Sequence, residues 1–261
     1  MDLGLSNKTA LVFGAGGGLG GAIARAMAAE GAKVVVADLN REAAQATATA
    51  IASAGGKALV MEWDMADLSI ISDRLNTITG EFGPVNILVN NTGGPQPTPA
   101  AGQDPAIWQQ YFNSMVLPVI AITDHVLPGM KAAKWGRIIT STSSGVVSPI
   151  ANLGISNTLR MSLVGWSKTL AQEVGRDGIT ANIVLPGRIA TQRITFLDEQ
   201  KAKREGRSVE DVSAQSTASI PVGRYGNPQE YGDVVTFLAS ERGSYVTGSV
   251  IRIDGGLIAS V

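Results

Sequence analysis

The chain has 261 residues, 31 of them glycine, with 44% hydrophobic and only 16% charged side chains, against roughly 25% charged in an ordinary globular domain. Twenty-one basic and twenty-two acidic residues leave a net charge of −1, so there is no basic field for nucleic acid or an anionic membrane. With no cysteine and His125 as the one histidine, disulfides, iron–sulfur clusters, a thiolate nucleophile and a histidine-built zinc site are excluded, and no metal site is expected.

Met1-Asp2-Leu3-Gly4 lacks the basic and apolar parts of a signal peptide, and no uninterrupted apolar run reaches membrane-span length. A soluble, cytoplasmic protein is expected. Thr9–Phe13 and Lys33–Ala37 read as the first two strands, joined by an alanine-rich helix from Leu19 to Glu30. Leu59–Glu62, Val85–Val89, Arg137–Ser141, Thr180–Leu185 and Val250–Ile253 extend the series to seven. Their near-continuous apolar character suits strands buried on both faces, and the alternation of strand and helix predicts a doubly wound α/β Rossmann fold, its mostly parallel sheet covered by helices on both sides.

The clearest helix is Ile155–Val174, where Leu159, Leu163, Trp166, Leu170 and Val174 share one face. Asp104–Lys131 and Pro228–Ser240 are also helical in pattern, with Pro118 disturbing the former. No repeat or linker divides the chain, so residues 1–261 are expected to form a single domain. The polar stretch 192–219 interrupts the alternation after a strand's carboxyl end and is expected to form a substrate lid.

The chemistry begins at Gly14-Ala15-Gly16-Gly17-Gly18-Leu19-Gly20-Gly21, which runs from strand into helix. Glycines there let backbone N–H groups approach a diphosphate at the helix N-terminus. Two registers are legible: Gly16, Gly18 and Gly21, or Gly14, Gly18 and Gly20. Asp38 ends the second strand, placed to accept both hydroxyls of an adenosine ribose and to repel a 2′-phosphate. No basic residue follows at Leu39 or Asn40, so NAD is expected in preference to NADP.

These features resemble the short-chain dehydrogenase/reductase family over essentially the whole chain. Gly14, Gly18 and Gly20 are joined by Asp64-Met65 after the third strand, Asn90-Asn91-Thr92-Gly93 after the fourth, Pro186-Gly187 followed by Thr191, and Arg224, Pro228 and Asp254-Gly255-Gly256 towards the end. The resemblance implies a cofactor site at Gly14, Gly18, Leu19, Gly20, Asp38, Asp64, Met65, Asn91, Gly93, Arg160, Pro186, Gly187 and Thr191. It also implies a homo-oligomer, a tetramer or dimer, built through helices such as Asp104–Lys131 and Ile155–Val174.

The family's catalytic pattern is Asn, Ser, Tyr and Lys, and here Ser143 matches its serine while Met115 stands at the Asn position, Ser156 at the Tyr and Arg160 at the Lys. A serine hydroxyl is a far poorer acid at neutral pH than a phenol held near a cation, and an arginine does not give up its proton usefully. Asn113, two residues before Met115, faces the other way on a helix. The Ser156-Asn157-x-x-Arg160 run resembles a 3-oxoacyl-acyl carrier protein reductase-like subgroup with an atypical tetrad. Two functions follow. One is an NAD(P)-dependent oxidoreductase acting on a carbonyl or secondary alcohol through Ser143, with Ser156 and Arg160 assisting. The other is a catalytically degenerate dinucleotide-binding protein.

Overall fold

The computed structural model describes Asp2–Ser260; the ends of the expected 1–261 domain, Met1 and Val261, lie outside the described residues. Seven strands form one sheet: β1 (Thr9–Phe13), β2 (Lys33–Asp38), β3 (Lys57–Glu62), β4 (Ile87–Asn91), β5 (Gly136–Ser141), β6 (Ile179–Pro186) and β7 (Val250–Ile253). Their order is β3-β2-β1-β4-β5-β6-β7 and every pairing is parallel. The expected fold class holds, with the sheet wholly rather than mostly parallel. β4 begins and ends two residues later than its apolar run, because Asn90 and Asn91 continue the ladder against Thr140 and Ser141. Polar identity does not stop a strand whose backbone still finds partners.

Alternation along each strand sends side chains to two separate cores. Ala10 and Val12 pack with Ile23 and Met27 of α1 (Gly18–Ala29), Ala44 and Ile51 of α2 (Arg41–Ser53), and Tyr231 and Val235 of α9 (Pro228–Leu238). Leu11 and Phe13 pack on the other face with α3 (Ile71–Phe82), α5 (Leu117–Ala133) and α6 (Gly154–Val174). Small residues let the first layer close tightly, since a side chain on Gly232 of α9 would stand 2.8 Å from the Ala22 carbonyl oxygen of α1.

The single helix expected over Asp104–Lys131 is two, α4 (Pro105–Met115) and α5, broken at Val116. Pro118 lies in the first turn of α5, where its missing N–H costs nothing. Taken together, Pro105–Ala133 is long enough to cross a membrane and holds an 18-residue window of mean hydropathy 1.2, but 44% of that window is buried inside this fold. The polar stretch forms two helices, α7 (Gln192–Glu205) and α8 (Val209–Ala218). Because the strand order reverses between β1 and β4, a crevice opens at the carboxyl ends of those strands, where ligands bind in open parallel sheets.

Candidate active site

Four segments meet at that crevice. The loop after β1 is held by sterics that only glycine satisfies. Gly14 and Gly18 adopt left-handed backbone, φ +60° and +52°, and a Cβ on Gly20 would stand 2.1 Å from the Gly14 carbonyl oxygen. These three positions form the Gly14, Gly18, Gly20 register. Gly16 is also crowded, since a Cβ there would stand 2.8 Å from the Ala43 Cβ and 2.9 Å from an Asp38 carboxylate oxygen, so residues of both registers are constrained for different reasons. The first intrahelical bond of α1 runs from Gly21 N–H to the Gly17 carbonyl. The N–H groups of Gly18, Leu19 and Gly20 precede it, leaving the donors that a diphosphate accepts from.

At the end of β2, the Asp38 carboxylate accepts from Gly16 N–H at 2.8 Å and from Asn40 N–H at 2.9 Å. It therefore stands fixed beside the glycine loop. Asp64 is exposed at the end of β3, where its carboxylate accepts from Ala66 N–H at 2.9 Å. Met65, next to it, is half-buried against the second core. Asn91 turns its side-chain amide under the loop and donates to the Phe13 carbonyl at 3.3 Å, tying β4 to β1 across the crevice. Gly93 is exposed beyond it.

The opposite wall comes from β5, β6 and α6. Ser143 is half-buried and accepts from Gly145 N–H at 3.1 Å, which orients its oxygen at the start of a short helical turn. Ser156 is buried in the first turn of α6, one turn before Arg160. Arg160 is also buried and spans the crevice, donating to the Gly93 carbonyl at 2.8 Å, Thr92 at 3.4 Å and Ser141 at 3.5 Å. Burial, with nearby Arg193 adding to it and Tyr231 opposing, draws this guanidinium down to about 10, still charged at neutral pH. Below it, Ser141 Oγ and the Tyr231 hydroxyl share a 2.8 Å hydrogen bond. Burial pushes the Tyr231 phenol above its ordinary value, against the pull of Ser141 and Arg160, so it stays protonated.

Asn157 exchanges hydrogen bonds with the backbone of Ile150, and its side-chain amide lies against Gly145 of the turn that begins at Ser143. Met115 is buried, whereas Asn113 is exposed, as the 200° rotation between them requires. His125 is exposed, its Nδ1 against the Ala121 carbonyl.

Pro186 ends β6, and Gly187 follows so closely on Asp254 that a Cβ would lie 2.5 Å from the Asp254 Cα. The chain then reaches Thr191, whose methyl group would stand 3.7 Å from a Cβ on Gly18, so the start of α7 lies over the glycine loop. Three residues of this region escape sequence reasoning. Asp198 of α7 is buried and pairs with Arg188 at 2.7 Å while accepting from the Tyr225 hydroxyl at 2.6 Å. Arg193 reaches across to donate to the Pro95 carbonyl at 3.0 Å. Nothing in a polar run separates a buried, paired carboxylate from its solvated neighbours, because only the fold brings Arg188 and Tyr225 to it.

A family model described as enoyl-(acyl carrier protein) reductase matches residues 14–258. The 3-oxoacyl-[acyl-carrier-protein] reductase FabG of Escherichia coli is 36% identical over 252 residues, 96% of this chain and 97% of the relative. The chain belongs to the short-chain dehydrogenase/reductase family. It is an NAD(P)-dependent oxidoreductase by type. Among solved structures, L-sorbose reductase of Gluconobacter frateurii, complexed with NADPH and L-sorbose, superposes with a TM-score of 0.93 at 30% identity and full coverage of both chains. YwfH, an NADPH-dependent reductase involved in bacilysin biosynthesis, gives 0.93 at 28% identity, covering 98% of this chain and 100% of the neighbour. Both neighbours are named with NADPH, so the expectation of NAD over NADP is not upheld; the nicotinamide dinucleotide is supported and the neighbours weigh towards NADP.

Proposed function

We propose that the protein interconverts a small ketone and its secondary alcohol, of the 3-oxoacyl reductase-like kind, with the dinucleotide along the crevice from Asp38 to Ser143. The observation that carries this reading is the glycine loop: a diphosphate needs bare backbone donors, and Gly20 leaves no room for any side chain there. Gly14, Gly18, Leu19 and Gly20 hold the diphosphate, Asp38, Asp64 and Met65 the adenosine half, and Asn91, Gly93, Pro186, Gly187 and Thr191 the nicotinamide half. Bound there, the dinucleotide supplies or takes up the hydride. The Ser143 hydroxyl donates to the substrate oxygen and polarises the carbonyl. Arg160 holds positive charge beside it and clamps the Thr92–Gly93 backbone. Ser156 and Arg160 where the family has Tyr and Lys make the tetrad atypical, with Ser156 relaying the proton.

The polar helices α7 and α8 act as the lid over this site, in a single domain. The preference between dinucleotides turns on Asp38, whose charge opposes a 2′-phosphate while the named neighbours use NADPH. A homo-oligomer in the cytoplasm completes the reading, with the exposed Phe112 of α4 and Met161 of α6 offered to a second copy.

The test is dinucleotide binding by calorimetry, with NAD⁺ and NADP⁺ in parallel, followed by nicotinamide absorbance with a panel of ketones and alcohols. Binding with turnover is the expected result. Binding without turnover across the panel favours the degenerate dinucleotide-binding protein, for which Ser156 and Arg160 are the motive. No binding of either dinucleotide sinks both.

A further inference from the structure

Two guanidinium groups converge beside Gly94 at the mouth of the crevice. A Cβ placed on Gly94 would lie 3.4 Å from Arg160 Nη2 and 3.6 Å from Arg193 Nη2, so the two nitrogens bracket one point in space. They come from different elements, α6 and α7, and belong to no shared ion pair. Arg160 donates to the carbonyls of Thr92, Gly93 and Ser141, and Arg193 to that of Pro95. Among the described residues, no carboxylate lies within ion-pair distance of either. The buried carboxylate of α7, Asp198, is committed to Arg188 and Tyr225. Arg160 is buried and each cation lies in the other's field, an arrangement that carbonyl dipoles alone compensate incompletely. An oxyanion between them removes that imbalance, and the planar fork of arginine matches a carboxylate's two oxygens.

The position says which anion. The diphosphate cradle is the glycine loop and the N-terminus of α1, under Thr191, whereas Gly94 follows β4. Arg160 is hydrogen-bonded to the Ser141 carbonyl, two residues before the Ser143 hydroxyl. A group held at Gly94 is thus a neighbour of the carbonyl-polarising serine. Gly93 and Gly94 are exposed, and so is Arg193, so the point is open to a small molecule from solvent.

We propose that Arg160 and Arg193 form an anion subsite that takes the carboxylate of a short-chain oxo acid, or of the corresponding hydroxy acid, whose carbonyl or hydroxyl carbon then faces Ser143. This rests on the oxidoreductase reading and narrows its substrate class from ketones in general to oxo acids. Because Arg193 arrives with α7, the carboxylate also holds the lid against the loop after β4.

The test titrates acetoacetate and levulinate, each beside its methyl ester, into protein loaded with the oxidised dinucleotide, so that no turnover intervenes. The acid is expected to bind at least about tenfold tighter than its ester, and Arg193→Gln to remove that preference, a loss on the order of 10–100-fold for one charge-assisted bond. Arg193→Lys keeps the charge and is expected to restore part of it. Melting curves of the variants confirm folding. Equal affinity for acid and ester in the native protein overturns the proposal. So does an Arg193→Gln effect on dinucleotide affinity as large as that on the acid, since the anion would then be the cofactor's own diphosphate. Failure of the dinucleotide to bind is a failure of the function and is read separately, because the acid–ester comparison is repeated on the unloaded protein. Acid-selective, Arg193-dependent binding without hydride transfer upholds the subsite while refuting turnover.

Discussion

Replacing Gly20 by alanine probes the feature on which the proposed dinucleotide site rests. The added Cβ would sit 2.1 Å from the Gly14 carbonyl oxygen and 2.6 Å from its carbon, where ordinary contact begins at 3.4 Å. Both opposing atoms are backbone, so no rotamer relieves the clash, and the start of α1 must move away from the loop by more than an ångström. Overpacking of this kind costs about 1–3 kcal/mol, which lowers the melting temperature by roughly 2–6 °C in a chain of this size. The same movement misaligns the N–H groups of Gly18, Leu19 and Gly20. A hydrogen bond to a charged group is worth about 1.5–3 kcal/mol, so losing one raises the dinucleotide Kd by roughly 10–100-fold. Calorimetric titration and a thermal melt read the two effects. Gly80→Ala serves as control: it lies exposed within α3 with nothing inside 4 Å of a new Cβ. It is expected to stabilise by about 0.5–1 kcal/mol without altering binding. A Gly20→Ala protein that binds within threefold of the native one and melts at the same temperature refutes the argument.

Ser143→Ala is expected to cut kcat on any accepted ketone by about 10²–10³-fold, the usual loss for one donor to a developing oxyanion, while dinucleotide affinity stays put; a rate within twofold of the native value would remove Ser143 from the mechanism. Asp198→Asn breaks the ion pair with Arg188 and is expected to cost about 1–3 kcal/mol, and to speed proteolysis between Gln192 and Ala218; unchanged cleavage there would mean that the buried network does not hold α7 down. Glu230 closes the capping box of α9. The Arg224 guanidinium, with help from Asn227 N–H, draws its carboxyl down to about 2. A group depressed on folding stabilises above its unfolded value and loses that contribution as pH falls through the folded one. The melting-temperature difference between native protein and Glu230→Gln is therefore expected to be full at pH 6, to shrink below about pH 4.5 and to vanish near pH 2. A difference independent of pH would contradict it.

The α/β architecture was legible in the sequence because period and composition are local. β1 and β7 were read to the residue, and the long helix to within one position. The reading slipped where a boundary depends on a partner strand, as at Asn90 and Asn91, which continue β4 only because β5 lies alongside. The glycine loop was legible for a related reason: its function needs the absence of side chains, and absence is visible in a sequence. Which glycines are forced was not, since Gly20 is excluded from any other identity by the carbonyl of Gly14, and that clash exists only once the strand turns into α1.

The sequence by itself determined the fold class and the family, and it set the glycine run at the carboxyl end of β1. Only the tertiary structure decided what the charged side chains meet. Arg160 is drawn across the crevice to the carbonyls after β4, and Arg193, reading as one charge in a polar run, is carried by α7 to the same point. Asp198 and Arg188 pair because α7 carries Asp198 back to the loop that follows β6. Electrostatics acts through distance in space, and distance along a chain does not report it until the sheet has set where each loop ends.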